Sequence, residues 1–274
     1  MRRAIPEFVK RPLRPLVGLI VRRSRRLLAP YWLRVALGEL WPVKDASRLR
    51  SLYVVTYGRS GSTLLTGYLS KLPGVDLKGE NYLFPLPLAD AEDRLADAVA
   101  LKYKGRQRSS SPWYGSHLFN LGRWQRDIRR AILNQLYPKQ IIPKTIGFKE
   151  IRWWYRLSPD DFERKLQWLT AIRPPGGIVF LTRDLDKTMA GAWWATQSES
   201  ERAHSRAGLE RFERMASDFA AAHPDHSVHV TYEEFTSSPE AARRICTLLG
   251  TPFREEVWKA TLGERYSYPS RNDG

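Results

Sequence analysis

The sequence predicts an α/β fold: one parallel sheet flanked by helices, preceded by a basic amphipathic N-terminal extension. Three observations carry this. Short apolar runs of strand length alternate with stretches of helical periodicity. The first strong apolar run, Leu52 to Tyr57, passes through a turn of small residues directly into a helical pattern. The apolar runs are nearly continuous, as in strands buried on both faces.

The chain has 274 residues, enough for one large domain with an extension. It carries a formal charge of +16, unevenly spread. Residues 1–50 hold thirteen Lys/Arg against three Asp/Glu, a net of +10, so most of the basicity is N-terminal. A single cysteine excludes an intramolecular disulfide and any Cys-based metal site. That residue, Cys246, sits in an apolar helical pattern and reads as a core residue. No histidine pair has metal-ligand spacing. His223, His226 and His229 straddle a helix end and a strand start, and read as loop and strand residues. The domain division expected is 1–50 for the extension and 51–274 for the α/β domain.

Prolines 6, 12 and 15 make the first fifteen residues an extended arm. Residues 16–41 alternate apolar, Arg-rich and Trp-bearing segments. The longest apolar run is six residues, Leu16 to Val21, whereas a bilayer span needs about twenty. There is no small-residue cleavage site for secretion, although an Arg-rich mitochondrial presequence stays open. Residues 1–41 read either as an amphipathic segment lying on an anionic membrane surface or as a basic helix packed on the domain. A nucleic-acid partner is not expected, since no recognition motif accompanies the arm. The expected location is cytoplasmic, peripheral to the membrane if the arm binds there.

From Leu52 to Tyr57 the chain is apolar, β-branched and aromatic, a buried strand. Gly58-Arg59-Ser60-Gly61 is a turn. From Ser62 the apolar residues Leu64, Leu65, Tyr68, Leu69 and Leu72 recur at helical spacing, with Ser62 the expected N-cap. Strand, tight turn and helix start present several backbone N–H groups to one anion. Glycine lets the backbone approach closely, hydroxyls add donors, and Arg59 adds a fixed positive charge. The loop is not a Walker A sequence: no lysine lies between Gly58 and Ser70.

TYGRSGSTLL resembles the 5′-phosphosulfate loop of the sulfotransferases that use PAPS (3′-phosphoadenosine 5′-phosphosulfate). The resemblance implies a P-loop-like fold and transfer of a sulfuryl group from PAPS, as cosubstrate and without a metal, to a hydroxyl or amine. It implies that Arg59, Ser60, Gly61, Ser62, Thr63 and Leu64 hold the donor, with Arg59 also acting on developing charge. The acceptor class it suggests is a carbohydrate, glycolipid or small molecule. Two other functions stay open: a P-loop kinase or hydrolase, and a non-catalytic basic protein of the membrane surface.

Pro73-Gly74 ends the first helix, and Val75 to Lys78 is a short strand. Glu80 follows it, similar in position to the family's base, and reads as that base or as a loop glutamate. Asp90 to Lys104 is helical. Gln107 to Gly115 is Ser-rich and reads as a substrate lid, with Trp113 and Tyr114 as a platform for a sugar ring. His117, just beyond, is the alternative base. Leu121 to Tyr137 is a basic helix. Thr145 to Trp153 is a strand with a charged end. Lys149 resembles the family's lysine near the reaction centre, while Lys149, Glu150 and Arg152 read equally as structural ion pairs.

Ser158-Pro159-Asp160 starts a helix that runs to Ile172. Pro174 to Gly177 is a turn, and Ile178 to Leu181 a buried strand. Arg183 follows at its carboxyl end, where open α/β sheets bind ligands. This resembles the family's second signature, whose arginine, with a serine eight positions on, holds the 3′-phosphate of PAPS. Here that position is Gly191. Glu199 to His223 is one long helix, and His226 to Tyr232 a strand. A loop and a helix starting at Ser238-Pro239 complete a βα unit that resembles the family's C-terminal one. In the tail, Arg265 and Arg271 are the candidates to close over the nucleotide.

Overall fold

The computed structural model describes residues 50–100, 108–110, 112, 114–137, 145–155, 157–172 and 176–264. The readings placed on residues 1–41, on Trp113 and on Arg265 and Arg271 lie outside the described residues, as do Gln107 and Ser111 of the Ser-rich segment.

Five strands form one sheet, all parallel, in the order β2-β3-β1-β4-β5. They are β1 (Arg50–Thr56), β2 (Val75–Lys78), β3 (Thr145–Glu150), β4 (Gly176–Thr182) and β5 (Ser227–Thr231). The helices are α1 (Ser62–Ser70), α2 (Leu86–Ala100), α3 (Leu121–Leu136), α4 (Pro159–Ile172) and α5 (Leu185–Met189). They continue as α6 (Glu199–Ala222), α7 (Tyr232–Ser237), α8 (Glu240–Leu249) and α9 (Glu255–Leu262).

The pleat divides β1 between two cores, because successive side chains point to opposite faces. Tyr53, Val55 and Tyr57 join Phe148, Phe162, Phe180 and Phe212 on the side of α4 and α6. Leu52 and Val54 join Leu65, Leu69, Val179, Leu181, Ile245 and Leu249 on the side of α1 and α8. Burying both faces is why β1 and β4 carry unbroken apolar runs, whereas β3, equally buried, ends in Lys149 and Glu150. Among the described residues no helix is long and apolar enough to cross a membrane.

The topology fixes where a ligand can sit. After β1 the chain crosses to β2 on one side of the sheet, and after β4 it crosses to β5 on the other. The two neighbouring strands therefore release their carboxyl-end loops in opposite directions, which opens a crevice between them. Gly58 to Gly61 and Arg183 are those two loops.

Several boundaries differ from the sequence reading. The N-cap of α1 is Gly61, at φ 86°, and not Ser62, which is the first helical residue. The left-handed backbone there favours glycine, which has no Cβ to clash. α2 begins at Leu86, four residues before the expected Asp90. Pro87 lies in its first turn, where the missing N–H would have had no partner anyway. Gly176 and Gly177 belong to β4 and not to a turn. Where a loop was expected after β5, Thr231 and Glu234 form a reciprocal capping box that starts α7 at once. α9 is an element the sequence reading did not identify.

Candidate active site

The loop after β1 is rigid for identifiable reasons. Ser60 is fully buried, and its hydroxyl is hydrogen-bonded at 2.7 Å to Thr56 Oγ1, which donates its own proton to Leu181 O at 2.6 Å. Ser60 thus supports the loop from beneath. Arg59 is the exposed residue of the loop and takes a positive φ of 70°, unusual for a residue with a side chain. Together with Gly61 it bends the backbone so that the start of α1 faces the crevice. Leu64 and Leu65 donate their N–H groups to Gly61 O. Ser62 and Thr63, at the first two helical positions, have amides with no intrahelical acceptor. Thr63 is exposed and Ser62 buried.

Aromatic rings wall this loop. A Cβ on Gly58 would overlap the ring of Trp193, and one on Gly61 would overlap the ring of Tyr232. Packing therefore demands glycine at both positions, and at Gly61 the positive φ favours it as well. Trp194 Nε1 donates to Gly58 O at 3.2 Å. None of these three rings was singled out from sequence. Trp193 and Trp194 lie in a short 3-10 turn, Ala192–Trp194, whose period gives no strong pattern, and Tyr232 sat in a segment read as structural.

Arg183 comes to the loop from the end of β4. Its guanidinium donates to Arg59 O at 3.2 Å and lies 4.5 Å from the centre of the Tyr232 ring. Its Nε is buried and has no hydrogen-bond partner, so the side chain holds a donor in reserve. Gly191 is close by: a Cβ there would sit 3.8 Å from Arg59 Nε. The two parts of the second signature, 183 and 191, therefore converge on Arg59.

Tyr57 ties these parts together. Its hydroxyl accepts from Arg183 N at 2.8 Å and lies 2.7 Å from both Arg183 O and Glu213 Oε1, to one of which it donates its single proton. Burial, then the Glu213 carboxylate, pushes the phenol far above its ordinary range. Burial likewise raises Glu213. Glu213 was not recognised from sequence, because a glutamate on a long amphipathic helix looks like an exposed one.

Glu80 lies beyond β2. Lys149 Nζ donates to its Oε1 at 2.7 Å, and Arg152 Nη1 approaches its Oε2 at 3.3 Å. Lys149 is nearly buried, with its side chain 9% exposed. The turn that carries Glu80 is strained, with Tyr82 and Leu83 both at positive φ. Glu150 holds it: this fully buried carboxylate accepts from the amides of Asn81 and Leu83 at 3.0 and 3.2 Å and from Arg152 at 2.6 Å. Of the triplet read as either functional or structural, Glu150 is tied to the turn while Lys149 reaches the cleft. That cleft, about 270 Å³, is lined by Thr63, Thr66, Gly67, Ser70, Leu77, Lys78, Gly79 and Lys149.

The structure thus brings Thr63, from the loop, and Lys149 to one cleft with Glu80 at its edge. It joins Arg59, Gly61, Arg183 and Gly191 on the far side of the loop. His117 lies on the separate 3-10 turn Ser116–Leu118, beside α2; its side chain is outside the described atoms. No group of three or more His, Cys, Asp or Glu able to hold a metal occurs among the described residues.

Residues 51–255 match the family model described as "Sulfotransferase family". No curated protein matches the chain.

Proposed function

The chain belongs to the sulfotransferase family, and on that premise we propose that it takes PAPS as donor and sulfates a hydroxyl or amine of a carbohydrate, glycolipid or small molecule. The observation that carries the proposal is the pairing of two loops at the switch point: an anion-binding turn without a Walker lysine, and Arg183 packed against it. PAPS, when bound, supplies the sulfuryl group.

The donor set fits the group. The Ser62 and Thr63 amides and the Thr63 hydroxyl suit the phosphosulfate end, and the start of α1 adds its positive dipole. Ser60 and Gly61 shape the turn, Leu64 anchors it, and Arg59 offsets charge on the leaving phosphate. The unpartnered Nε of Arg183 suits the 3′-phosphate. Sulfuryl transfer resembles phosphoryl transfer, where positioning and charge stabilisation supply most of the rate. Glu80 accepts the proton of the acceptor's hydroxyl or amine, and Lys149 holds Glu80 while facing the cleft.

Incubation with radiolabelled PAPS and a panel of sugars, glycolipids, phenols and amines tests the proposal. Label is expected on at least one acceptor with the parent chain and on none with Arg59→Ala. Absence of transfer to every acceptor, with the donor intact, contradicts it.

A further inference from the structure

We propose that the start of α3 and the 3-10 turn before it form a docking surface for an anionic lipid membrane. The surface is separate from the cleft and independent of the chemistry proposed there. Three large apolar side chains are exposed within six residues: Tyr114 at 60%, Leu118 at 74% and Phe119 at 44%. A folded domain scatters single apolar residues over its surface, but clustering on one turn calls for a partner.

The helix that follows supplies the charge. Arg123, Arg126 and Arg130 lie three and seven residues apart along α3 and share one exposed face. None of them has an ion-pair partner among the described residues. Other surface arginines divide: 164, 206, 244 and 254 are paired with carboxylates, while 202, 211 and 214 on α6 have no ion-pair partner among the described residues, so it is the adjacent apolar turn that sets the α3 face apart. Asp127 shares the face, which remains net positive. The N-terminal end of α3 adds the positive end of its dipole beside the apolar turn.

The charge decides between occupants. Residues 1–50 carry a net charge of +10, so this segment would meet the arginines with like charge. A second copy in a symmetric contact would set arginine against arginine. Nucleic acid would satisfy the arginines but leaves no reason for Leu118, the most exposed of the three apolar residues. An anionic bilayer satisfies both parts: headgroups take the guanidiniums, and the acyl boundary takes Leu118, Phe119 and Tyr114.

The test is sedimentation of the full chain with vesicles of phosphatidylcholine alone, or mixed with phosphatidylserine. Binding to the mixed vesicles and weakening with salt are expected. Leu118→Ser/Phe119→Ser and Arg123→Gln/Arg126→Gln/Arg130→Gln should each lower partitioning by about tenfold or more. The arginine variant should also flatten the salt dependence. Thermal melts check that both variants fold; should the double serine variant not, Leu118→Ser alone carries the apolar arm. Parent-like binding by either variant overturns the proposal, because another segment such as residues 1–41 would then hold the membrane. So does a parent chain that ignores the vesicles, or one that prefers single-stranded DNA and responds to the arginine changes alone.

Discussion

Glu80 shows what a motif position gains from its neighbours. The sequence offered it as a base or a loop residue, and nothing local separates the two. In the fold a nearly buried lysine and Arg152 approach it, and Glu150 holds the strained turn beneath it. Under the proposed mechanism Glu80→Gln lowers kcat by about a hundredfold, the usual order for a lost general base. Removing the charge also leaves Lys149 short of its partner, so the melting temperature should fall as well. Rates must therefore be taken per folded molecule in steady-state assays. His117→Ala should leave kcat and acceptor KM near the parental values, and a full rate in Glu80→Gln with collapse in His117→Ala would transfer the role. Gly191 permits a second test at this scale. Its absent Cβ has ordinary van der Waals room beside Arg59. Gly191→Ser should restore a hydroxyl near the 3′-phosphate side and tighten adenosine 3′,5′-bisphosphate binding by roughly fivefold, about one hydrogen bond's worth. Calorimetric titration reads this directly; weaker binding would mean the added group obstructs the site.

The elements were legible where one force dominated. β1 and β4 were visible because strands buried on both faces must be apolar throughout, α1 because one stripe must be, and α4 by its Ser158-Pro159-Asp160 start. What was missed is short or capped by side chains. α7 depends on the Thr231–Glu234 capping box, and α9 has only eight residues. The rings around the anion loop were missed for a related reason: Trp193 and Tyr232 contact Gly58 and Gly61 across more than a hundred residues of chain, and no local period records that. The β4–β5 edge offers a prediction of its own. His229 is held against Thr182 Oγ1 at 2.9 Å, and burial pulls its pKa below the ordinary 6.5; burial does the same to His226. The folded state then binds fewer protons than the unfolded one in acid. The stability tied to this is full above about 6.5 and is lost as pH falls through the lowered folded value. Urea midpoints should drop between pH 7.5 and pH 5.5, and His229→Gln should flatten that drop. An unchanged slope would mean that His229 is protonated without cost.

At the scale of the whole molecule, the order β2-β3-β1-β4-β5 turns two distant sequence signatures into one site. Residues 58–64 and 183–191 lie more than a hundred positions apart, yet parallel pairing of β1 with β4 sets their loops side by side. The sequence made each signature readable, but their convergence follows from topology, as does the assembly of Thr63 and Lys149 in one cleft. The uneven charge was readable too, since it needs only counting, whereas the exposed turn before α3 needed the fold. The central claim is that this crevice is built for a 3′-phosphorylated adenosine donor and not for a nucleoside triphosphate. Thermal melts of the full chain with adenosine 3′,5′-bisphosphate and with ATP–Mg²⁺ test it most directly. A ligand at a hundredfold excess over its Kd stabilises the folded state by about 2.7 kcal/mol. The account predicts a clear upward shift with the bisphosphate, little with ATP–Mg²⁺, and loss of the bisphosphate shift in Arg183→Ala. An equal shift with ATP–Mg²⁺, or none with the bisphosphate, would contradict it.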